Sequence, residues 1–544
     1  MTGRRAIGLL IALHLAIVLV VQPRGQFPIN DDWAFAQSVQ WLLAEHRVRL
    51  SDWVAMNLLP QTLGGGLVTA LFGFSFEALR HLTQGVALLT SFAAYGWFRA
   101  ARLAEWDALV ATLGVVAFPL WPILANSYMT DLYGLAFALP SAALFLRSLE
   151  SPRPATLVAA TALAAAGVLQ RQVVLVVPFA FMAAWLFSRR DWSVRAVATG
   201  IAPFLVALGA ELAYHAYLVG GPGVPEAQQL AHGRVAPMIV DTLTNKDRHR
   251  DWVLVNIATL CGYFGLFVVG WASWWGLRGA STRTRAAIAA GGVAIAAIAF
   301  AAQWFPPYRA NMVLDPAGIG PFTLYDAFAH GTSLDREPGI FWRLAALAGA
   351  FGAAALAALL LANLRYLASA GRGAASDRVF VIVLLAAYLF PFTVVDYIDR
   401  YFVFVLPFLF VLWARTWPAP APASRGARVR HAAAVAWLLA VIALSSVATR
   451  DYFAWNRARW DAIRTAERMG ATPDEIDGGF EYNGFKRFES LPRAATPGKS
   501  WWWVKDDRYV VAFVPIPGYE EIAAFPVRHW LPRTPPVVRL LRRI

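Results

Sequence analysis

Long apolar runs follow one another through most of this chain, and they constrain its fold more than any other feature. Of its 544 residues, 58% are hydrophobic and only 15% are charged, whereas soluble domains carry about 25% charged residues. Such a chain cannot cover its own surface with groups that water solvates, so we predict an integral membrane protein. The net charge of +14 is spread over small basic clusters between the apolar runs, which argues against a nucleic acid partner. The single cysteine, Cys261, excludes an internal disulfide and a thiolate metal cluster.

Thirteen apolar runs predict an all-α polytopic membrane protein with about 13 transmembrane helices. The predicted spans are residues 6–22, 79–98, 105–124, 131–147, 155–170, 172–188, 196–218, 252–276, 286–303, 341–364, 379–396, 401–417 and 432–448. The first run follows Arg4 and Arg5 and precedes no clear cleavage site, so we interpret it as a retained helix. Residues 58–73 are apolar but interrupted by glycines, and we interpret them as an interfacial or re-entrant helix.

The arginines assign a side to each loop, because basic residues concentrate in cytoplasmic loops. One alternate set of loops holds Arg4 and Arg5, Arg99 and Arg102, Arg147 and Arg153, Arg189, Arg190 and Arg195, Arg278, Arg283 and Arg285, Arg365, Arg372 and Arg378, and Arg415, Arg425, Arg428 and Arg430. The amino terminus is therefore predicted to be cytoplasmic. The long segments 23–78, 219–251, 304–340 and 450–544, with the turns near 125–130 and 396–400, then lie outside, and the functional residues are expected there.

The composition changes abruptly after Arg450 and predicts a second unit. We divide the chain into a transmembrane domain, 1–449, whose outer loop 23–78 is the expected catalytic loop, and a small extracytoplasmic α+β domain, 450–544. Residues 451–469 look helical, and Thr472 to Glu475 form a capping-box pattern. Runs 500–505 and 509–514 read as strands. This domain has no disulfide to stabilise it, so we expect it to rest against the membrane domain.

Two acidic sites lie in consecutive outer segments. Asp31 and Asp32 follow the first span, and Asp131 closes the next outer turn. An aspartate at a helix start often serves only as an N-cap. One aspartate suffices for a cap, which leaves the other of the first pair as a candidate base or ion ligand. We expect the two sites to converge on one aqueous pocket beside the membrane.

Two basic positions could complete that pocket. Arg171 and Gln172 lie in an outer turn between apolar runs, where a guanidinium needs an anionic partner, either a lipid head group or a bound phosphate. Arg400 and Tyr401 mark another outer helix end, where Asp396 and Asp399 make an internal ion pair at least as plausible as a ligand contact. Glu211 and His215, one helical turn apart, suggest a buried hydrogen-bonded pair.

In organisation the chain resembles the GT-C superfamily of polyprenyl-phosphate-sugar-dependent glycosyltransferases, especially the protein O-mannosyltransferase and lipid A aminoarabinose transferase families. The resemblance rests on the order and sidedness of several features. These are Asp31-Asp32 after the first span, the apolar segment ending LFGFS, Leu79-Arg80 opening the second span, Met129-Thr130-Asp131, and Asp399-Arg400-Tyr401-Phe402. The chain departs from these families in having Asp-Asp in place of Asp-Glu, and its first outer loop contains no lysine.

The resemblance implies a specific reaction. A sugar would move from a polyprenyl-phosphate donor to an acceptor hydroxyl on a glycan, lipid or protein at the outer face of a bacterial inner membrane. Asp31 would be the catalytic base, and Asp32 is the less favoured alternative. A single displacement would invert the configuration of the anomeric carbon. Arg171 and Arg400 would neutralise the leaving phosphate, with Gln172 and Tyr401 beside them, and Asp131 would orient an arginine or help bind a divalent cation. We predict no obligatory metal, although a divalent cation remains possible; the lipid-linked sugar is a co-substrate.

Two other functions remain open. A transporter or flippase of a lipid-linked or amphiphilic substrate would also be polytopic, but transporters usually place ionisable groups near the membrane midplane and in repeated halves. Here the candidate groups gather at one rim, and no repeat is visible. A ligase that moves a preassembled glycan would share the topology and differ mainly in its donor.

Overall fold

Helices dominate the structure, a computed structural model. It describes residues 3–189, 192–244, 256–257, 260, 264, 280–302, 314–315, 318–319, 323–324, 340–370, 375–394, 397–417, 425–489, 503–532 and 534–544. Its helices are α1 (Gly3–Val21), α2 (Asp32–Glu45), α3 (Leu59–Phe72), α4 (Phe76–Ala100), α5 (Glu105–Val116), α6 (Trp121–Ala125), α7 (Asp131–Glu150), α8 (Pro154–Gln170), α9 (Val176–Ser188), α10 (Val194–Gly220), α11 (Glu226–Thr244), α12 (Thr282–Ala301), α13 (Ile340–Ser369), α14 (Ser376–Val394), α15 (Phe402–Thr416), α16 (Arg425–Arg468) and α17 (Phe480–Arg487). Short 3-10 turns cover Gln172–Leu175, Asp399–Tyr401 and Pro473–Glu475.

The predicted class, a helical polytopic membrane protein with a small C-terminal α+β unit, is confirmed. Within the described ranges, seven helices are long and apolar enough to cross a bilayer: α1, α7, α10, α12, α13, α14 and α16. Most of the predicted span 252–276 lies outside the described residues, and the total of thirteen crossings stays a prediction. The run 105–124 forms two helices rather than one, because Pro119 and Pro122 interrupt its backbone hydrogen bonding.

Helix α3 matches the predicted interfacial helix. Its 14 residues span about 21 Å, which is less than the roughly 30 Å of the hydrocarbon core. It packs on α2, α4 and α8, and its Gln61 connects three outer segments. The Gln61 side-chain amide donates to the carbonyl of Tyr128 at 2.8 Å, and Gln170 donates to the Gln61 side-chain oxygen at 2.8 Å. These bonds hold the turns that carry Asp131 and Arg171 against the first outer loop.

Residues from four of the predicted cytoplasmic loops meet at one face of the molecule. They line a polar cavity of about 350 Å³: Arg102, Glu150, Tyr366, Ser376, Asp377, Arg378 and Arg415. Arg102 pairs with Glu150 at 2.8 Å, and Arg415 pairs with Asp377. The structure thus brings together the loop ends that the arginine pattern assigns to one side.

The C-terminal unit combines the long helix α16 with a small sheet. The described strands are β1 (Leu314–Asp315), β2 (Gly318–Ile319), β3 (Ile476–Asp477), β4 (Tyr509–Ala512), β5 (Tyr519–Pro526) and β6 (Val537–Arg543). β1 and β2 form a separate hairpin, and the other four form a sheet in the order β3-β4-β6-β5, in which only β3 and β4 run parallel.

Some of the predicted C-terminal elements are present in the structure and others are not. The capping box at Thr472 and Glu475 is present, and the run 509–514 forms β4. Residues 503–505 form no strand, residues 500–502 lie outside the described part, and β5 and β6 were not predicted. Helix α16 continues without a break from the last predicted span through residue 468, so the proposed domain boundary at 449/450 falls inside it. The division into two domains stays a prediction.

Candidate active site

Asp31 occupies the turn between Asn30 and α2, and its carboxylate does not cap that helix. Asn30 has a left-handed backbone, with φ of 52°. Asp31 Oδ1 accepts a hydrogen bond from the Trp53 indole N–H at 2.9 Å, and Oδ2 accepts from both terminal nitrogens of Arg400 at 3.1 Å. The side chain is 12% exposed. Trp53 and Arg400 therefore hold the two carboxylate oxygens of Asp31, and the side chain remains partly accessible to solvent.

Asp131 links the two arginines predicted to bind phosphate. It is the first residue of α7 and, like Asp31, caps no helix; instead its Oδ1 accepts a hydrogen bond from Arg171 Nη1 at 2.5 Å. Its Oδ2 lies 3.9 Å from Arg400 Nε. The acidic cluster and the arginines thus form one chain of contacts, Asp31 to Arg400 to Asp131 to Arg171, which we call the rim cluster. Its two carboxylates and two guanidinium groups balance in charge.

Tyr401 borders the rim cluster, whereas Gln172 points away from it. The Tyr401 ring centroid lies 5.4 Å from the guanidinium carbon of Arg171 and 5.8 Å from that of Arg400. The Gln172 amide donates to the side-chain oxygen of Asn57 at 2.9 Å. Gln172 therefore tethers its turn to the first outer loop and does not contact the acidic residues.

Asp32 has a different environment from its neighbour. Its side chain is fully buried, and Oδ2 accepts a hydrogen bond from the backbone N–H of Ile29 at 3.3 Å. Burial raises the pKa of Asp32 to about 7, although the backbone N–H of Tyr128 and the charge of Arg80 favour the ionised form. Of the adjacent carboxylates, only Asp31 belongs to the rim cluster.

Arg80 was not predicted as a site residue. Its side chain holds the first residues of the first outer loop in place. Its guanidinium donates to the carbonyls of Pro23 at 3.3 Å, Gly25 at 2.6 Å, and Phe27. Only 1% of the residue is exposed. An arginine within the first turns of an apolar helix is costly unless paired, and that signal was available in the sequence.

An apolar groove runs beside the rim cluster. Its volume is about 450 Å³, and it lies between α9, α10 and α14. It is lined by Gln172, Val173, Leu175, Val176, Phe179, Phe204, Ala387, Tyr388, Pro391 and Phe392. Gln172 is adjacent in sequence to Arg171, and Tyr388 donates its hydroxyl to the carbonyl of Tyr401 at 3.0 Å. Tyr388 therefore connects one end of the groove to the turn that carries Arg400.

Two further sequence interpretations have outcomes in the structure. The Glu211 carboxylate accepts a hydrogen bond from the Asn57 amide, so it binds the first outer loop. Asp399 accepts from the backbone N–H of Arg400 at 2.7 Å, while the Arg400 guanidinium extends to Asp31. Asp396 lies outside the described residues. Among those residues, no group of three or more His, Cys, Asp or Glu side chains could hold a metal ion.

The chain is similar to one protein family and to several solved structures. Residues 65–214 match the model of the dolichyl-phosphate-mannose-protein mannosyltransferase family. The chain resembles ArnT from Cupriavidus metallidurans bound to undecaprenyl phosphate, with 15% identity over 99% of this chain and 98% of that chain and a TM-score of 0.37. It also resembles the apo form of the Archaeoglobus fulgidus oligosaccharyltransferase, with 13% identity over 92% of this chain and 61% of that chain and a TM-score of 0.43.

No curated protein matches the sequence. The family match supports the GT-C resemblance, and hence a glycosyltransferase-like membrane protein. At these identities and scores the solved structures add nothing about the chemistry of this chain, which has to be argued from its own side chains.

Proposed function

We propose that this chain transfers a sugar from a polyprenyl-phosphate donor to an acceptor hydroxyl at the outer membrane surface. One observation carries the proposal: the rim cluster, with a partly accessible carboxylate and two arginines, is connected through Tyr401 and Tyr388 to an apolar groove between helices. A donor with an anionic head and a hydrocarbon tail fits this combination, because the tail prefers the groove and the phosphate prefers guanidinium groups.

Arg171 and Arg400 have hydrogen-bonding capacity for a phosphate. In the described part of the chain, the Arg171 guanidinium makes one hydrogen bond, through Nη1 to Asp131. In the same part, Arg400 Nε has no hydrogen-bond partner. A phosphate between the two guanidinium groups would use these donors. It would also compete with Asp31 for the terminal nitrogens of Arg400, and so leave Asp31 Oδ2 available to accept a proton.

The reaction balances with these groups alone. Asp31 Oδ2 accepts the proton of the acceptor hydroxyl while that oxygen attacks the anomeric carbon. The bond from the anomeric carbon to the phosphate oxygen breaks, and the polyprenyl phosphate leaves with the electron pair. A phosphate is a good leaving group, so no strong general acid is required, and the single displacement inverts the anomeric carbon. The arginines stabilise the charge that develops on the departing phosphate, while Asp131 orients them.

Several finer features belong to the same proposal. The amino terminus would be cytoplasmic, and the rim cluster and C-terminal unit would face outward from a bacterial inner membrane. The sugar would be a hexose or pentose, and the acceptor a glycan, lipid or protein. Asp31 is the proposed base rather than Asp32, because Asp31 is partly exposed and contacts Arg400, whereas Asp32 is fully buried.

Transfer by the purified protein in proteoliposomes tests the proposal. The donors would be a panel of radiolabelled undecaprenyl-phosphate sugars, and the acceptors a membrane extract from a strain that lacks the gene. We expect a covalent labelled product with the unaltered protein and with Arg102→Gln, an exposed change at the opposite face, and none with Asp31→Asn. Movement of labelled lipid across the bilayer without a covalent product would instead establish a transporter or flippase.

A further inference from the structure

An aromatic cluster joins the first outer loop to the C-terminal unit. Trp33 and Trp53 come from the loop side, and Phe480, Phe488 and Trp503 come from the C-terminal side. The Trp53 centroid lies 5.4 Å from Trp503 and 5.7 Å from both Phe480 and Phe488. The Trp33 centroid lies 5.2 Å from Phe488 and 5.7 Å from Trp503. We call these five residues the bridging cluster. Tilted and edge-to-face ring pairs at such distances favour one orientation of each ring.

The two tryptophans of the loop side differ in what their indole N–H groups do. Trp53 donates to Asp31 Oδ1 at 2.9 Å. Trp33 Nε1 is buried without a hydrogen-bond partner in the described part of the chain. Trp33 thus contributes packing alone, whereas Trp53 connects the C-terminal rings to the carboxylate of the rim cluster.

Polar contacts fasten the same loop to the C-terminal unit at two points. Glu481 of α17 accepts a hydrogen bond from the backbone N–H of Asn30 at 3.2 Å, one residue before Asp31. Glu481 is itself paired with Arg459 at 2.6 Å, and neither side chain is exposed. The Ser51 hydroxyl donates to Glu489 at 2.7 Å, two residues before Trp53.

Close backbone contact adds to this attachment. A Cβ atom at Gly484 would come within 2.6 Å of the Trp33 ring, so α17 lies directly against the loop. Asn30, Trp33 and Ser51 of the first outer loop therefore all contact the C-terminal unit.

We propose that the C-terminal unit is part of the active site, and that Trp53 is the positioning residue through which its aromatic side chains orient the Asp31 carboxylate. The inference rests on the base role proposed for Asp31. Arg400 holds Oδ2 until the donor phosphate arrives, and Trp53 alone among the described hydrogen bonds holds Oδ1. Trp53 thus keeps the carboxylate directed at the acceptor while Arg400 engages the phosphate.

The test compares matched tryptophan variants of the full-length protein. Trp53→Phe keeps a ring in the bridging cluster but removes the donor to Asp31. Trp33→Phe makes the same change at a nitrogen that has no hydrogen-bond partner among the described residues. Carbodiimide labelling of Asp31, read by mass spectrometry across pH, reports directly on how well its carboxylate is stabilised. This readout needs no donor or acceptor, so it stands even if the proposed transfer fails.

We expect Trp53→Phe to raise Asp31 labelling several-fold, because Oδ1 then loses the indole N–H that holds it and becomes more accessible to the reagent. Transfer should fall about tenfold in kcat, with little change in the KM for the donor, because a mispositioned base slows the reaction without weakening donor binding. The charged groups facing Asp31, namely Arg400, Asp131 and Asp32, are unaltered. Trp33→Phe should reproduce the unaltered protein in labelling and in kcat. Equal behaviour of the two variants would overturn the role of Trp53.

A second pair of variants tests the C-terminal unit and substitutes for the first if Trp53→Phe does not fold. Phe488→Leu loosens the bridging cluster without touching the loop. Ile516→Ala removes a buried side chain from the separate cluster formed with Val510, Ala512 and Leu541. We expect Phe488→Leu to raise Asp31 labelling and Ile516→Ala to leave it unchanged. If both variants alter labelling equally, the C-terminal unit supports the fold only, and the proposal fails.

Discussion

Arg400 donates from both of its terminal nitrogens to one oxygen of Asp31, at 3.1 Å each, across 369 positions of sequence. This contact joins the loop after the first helix to the turn before α15. Because the same guanidinium also approaches Asp131, it couples both acidic sites. The Arg400 side chain is buried, whereas the Asp31 side chain is partly exposed. A base needs such exposure in order to contact an acceptor.

The first prediction separates the two adjacent aspartates. Asp31→Asn should lower the rate of sugar transfer by about 100- to 10,000-fold, the usual contribution of a general base. Asp32→Asn should cost less than about tenfold, since the neutral amide resembles the protonated carboxyl that burial already favours. Initial rates at saturating donor distinguish them. A larger loss in Asp32→Asn than in Asp31→Asn would transfer the base role to Asp32.

The second prediction concerns the pH dependence of stability. The pKa of Asp32 is raised from 3.8 to about 7, so the folded protein binds this proton more tightly than the unfolded chain does. The stabilisation is complete at low pH and is lost as pH rises from about 4 to about 7, by on the order of a few kcal/mol. Asp32→Asn cannot lose a proton there.

The thermal midpoint of the unaltered protein in detergent should therefore fall relative to that of Asp32→Asn across this range and then remain parallel to it. Other buried acids, such as Asp477 with its pKa of about 6, are common to both proteins and cancel in the comparison. A midpoint difference that stays constant from pH 4 to pH 8 would show that Asp32 is not perturbed.

The third prediction concerns the Asp131–Arg171 pair, whose side chains are 2% and 10% exposed. Arg171→Gln should destabilise the protein by about 3 to 5 kcal/mol, because it leaves a buried carboxylate without its partner. The double variant Arg171→Gln with Asp131→Asn restores a neutral cluster and should regain much of the stability. Neither should bind undecaprenyl phosphate as well as the unaltered protein. Thermal unfolding with and without that lipid measures both effects.

The fourth prediction concerns the apolar groove. Ala387→Phe should obstruct it and raise the KM for an undecaprenyl donor about tenfold, equivalent to about 1.4 kcal/mol, while affecting a short-chain prenyl donor much less. Ala386→Phe is the matched control, since Ala386 is exposed on the outside of the same helix. Equal effects on long and short donors would place the lipid tail elsewhere.

Much of the architecture follows from the sequence because its physical causes are local. The length of an apolar run decides whether a helix can cross the bilayer, and the arginines between the runs indicate its side. Loop ends assigned to one face by charge, such as Arg102 and Arg378, meet in one cavity. The strands β5 and β6 were missed because their partly charged sequences show no strict alternation of apolar and polar residues.

The candidate site was foreseen in its members but not in its connections. Sequence analysis identified Asp31 and Asp131 as acidic sites that could converge on one pocket, Arg171 as a charge near hydrocarbon that needs an anionic partner, and Arg400 as a residue of an internal ion pair or a ligand contact. It could not decide which carboxylate each arginine would contact, or that Asp32 would turn inward while Asp31 stayed accessible. It also gave no sign that Trp53 would hold Asp31. Those outcomes depend on how segments hundreds of residues apart pack, and only the tertiary structure decided them.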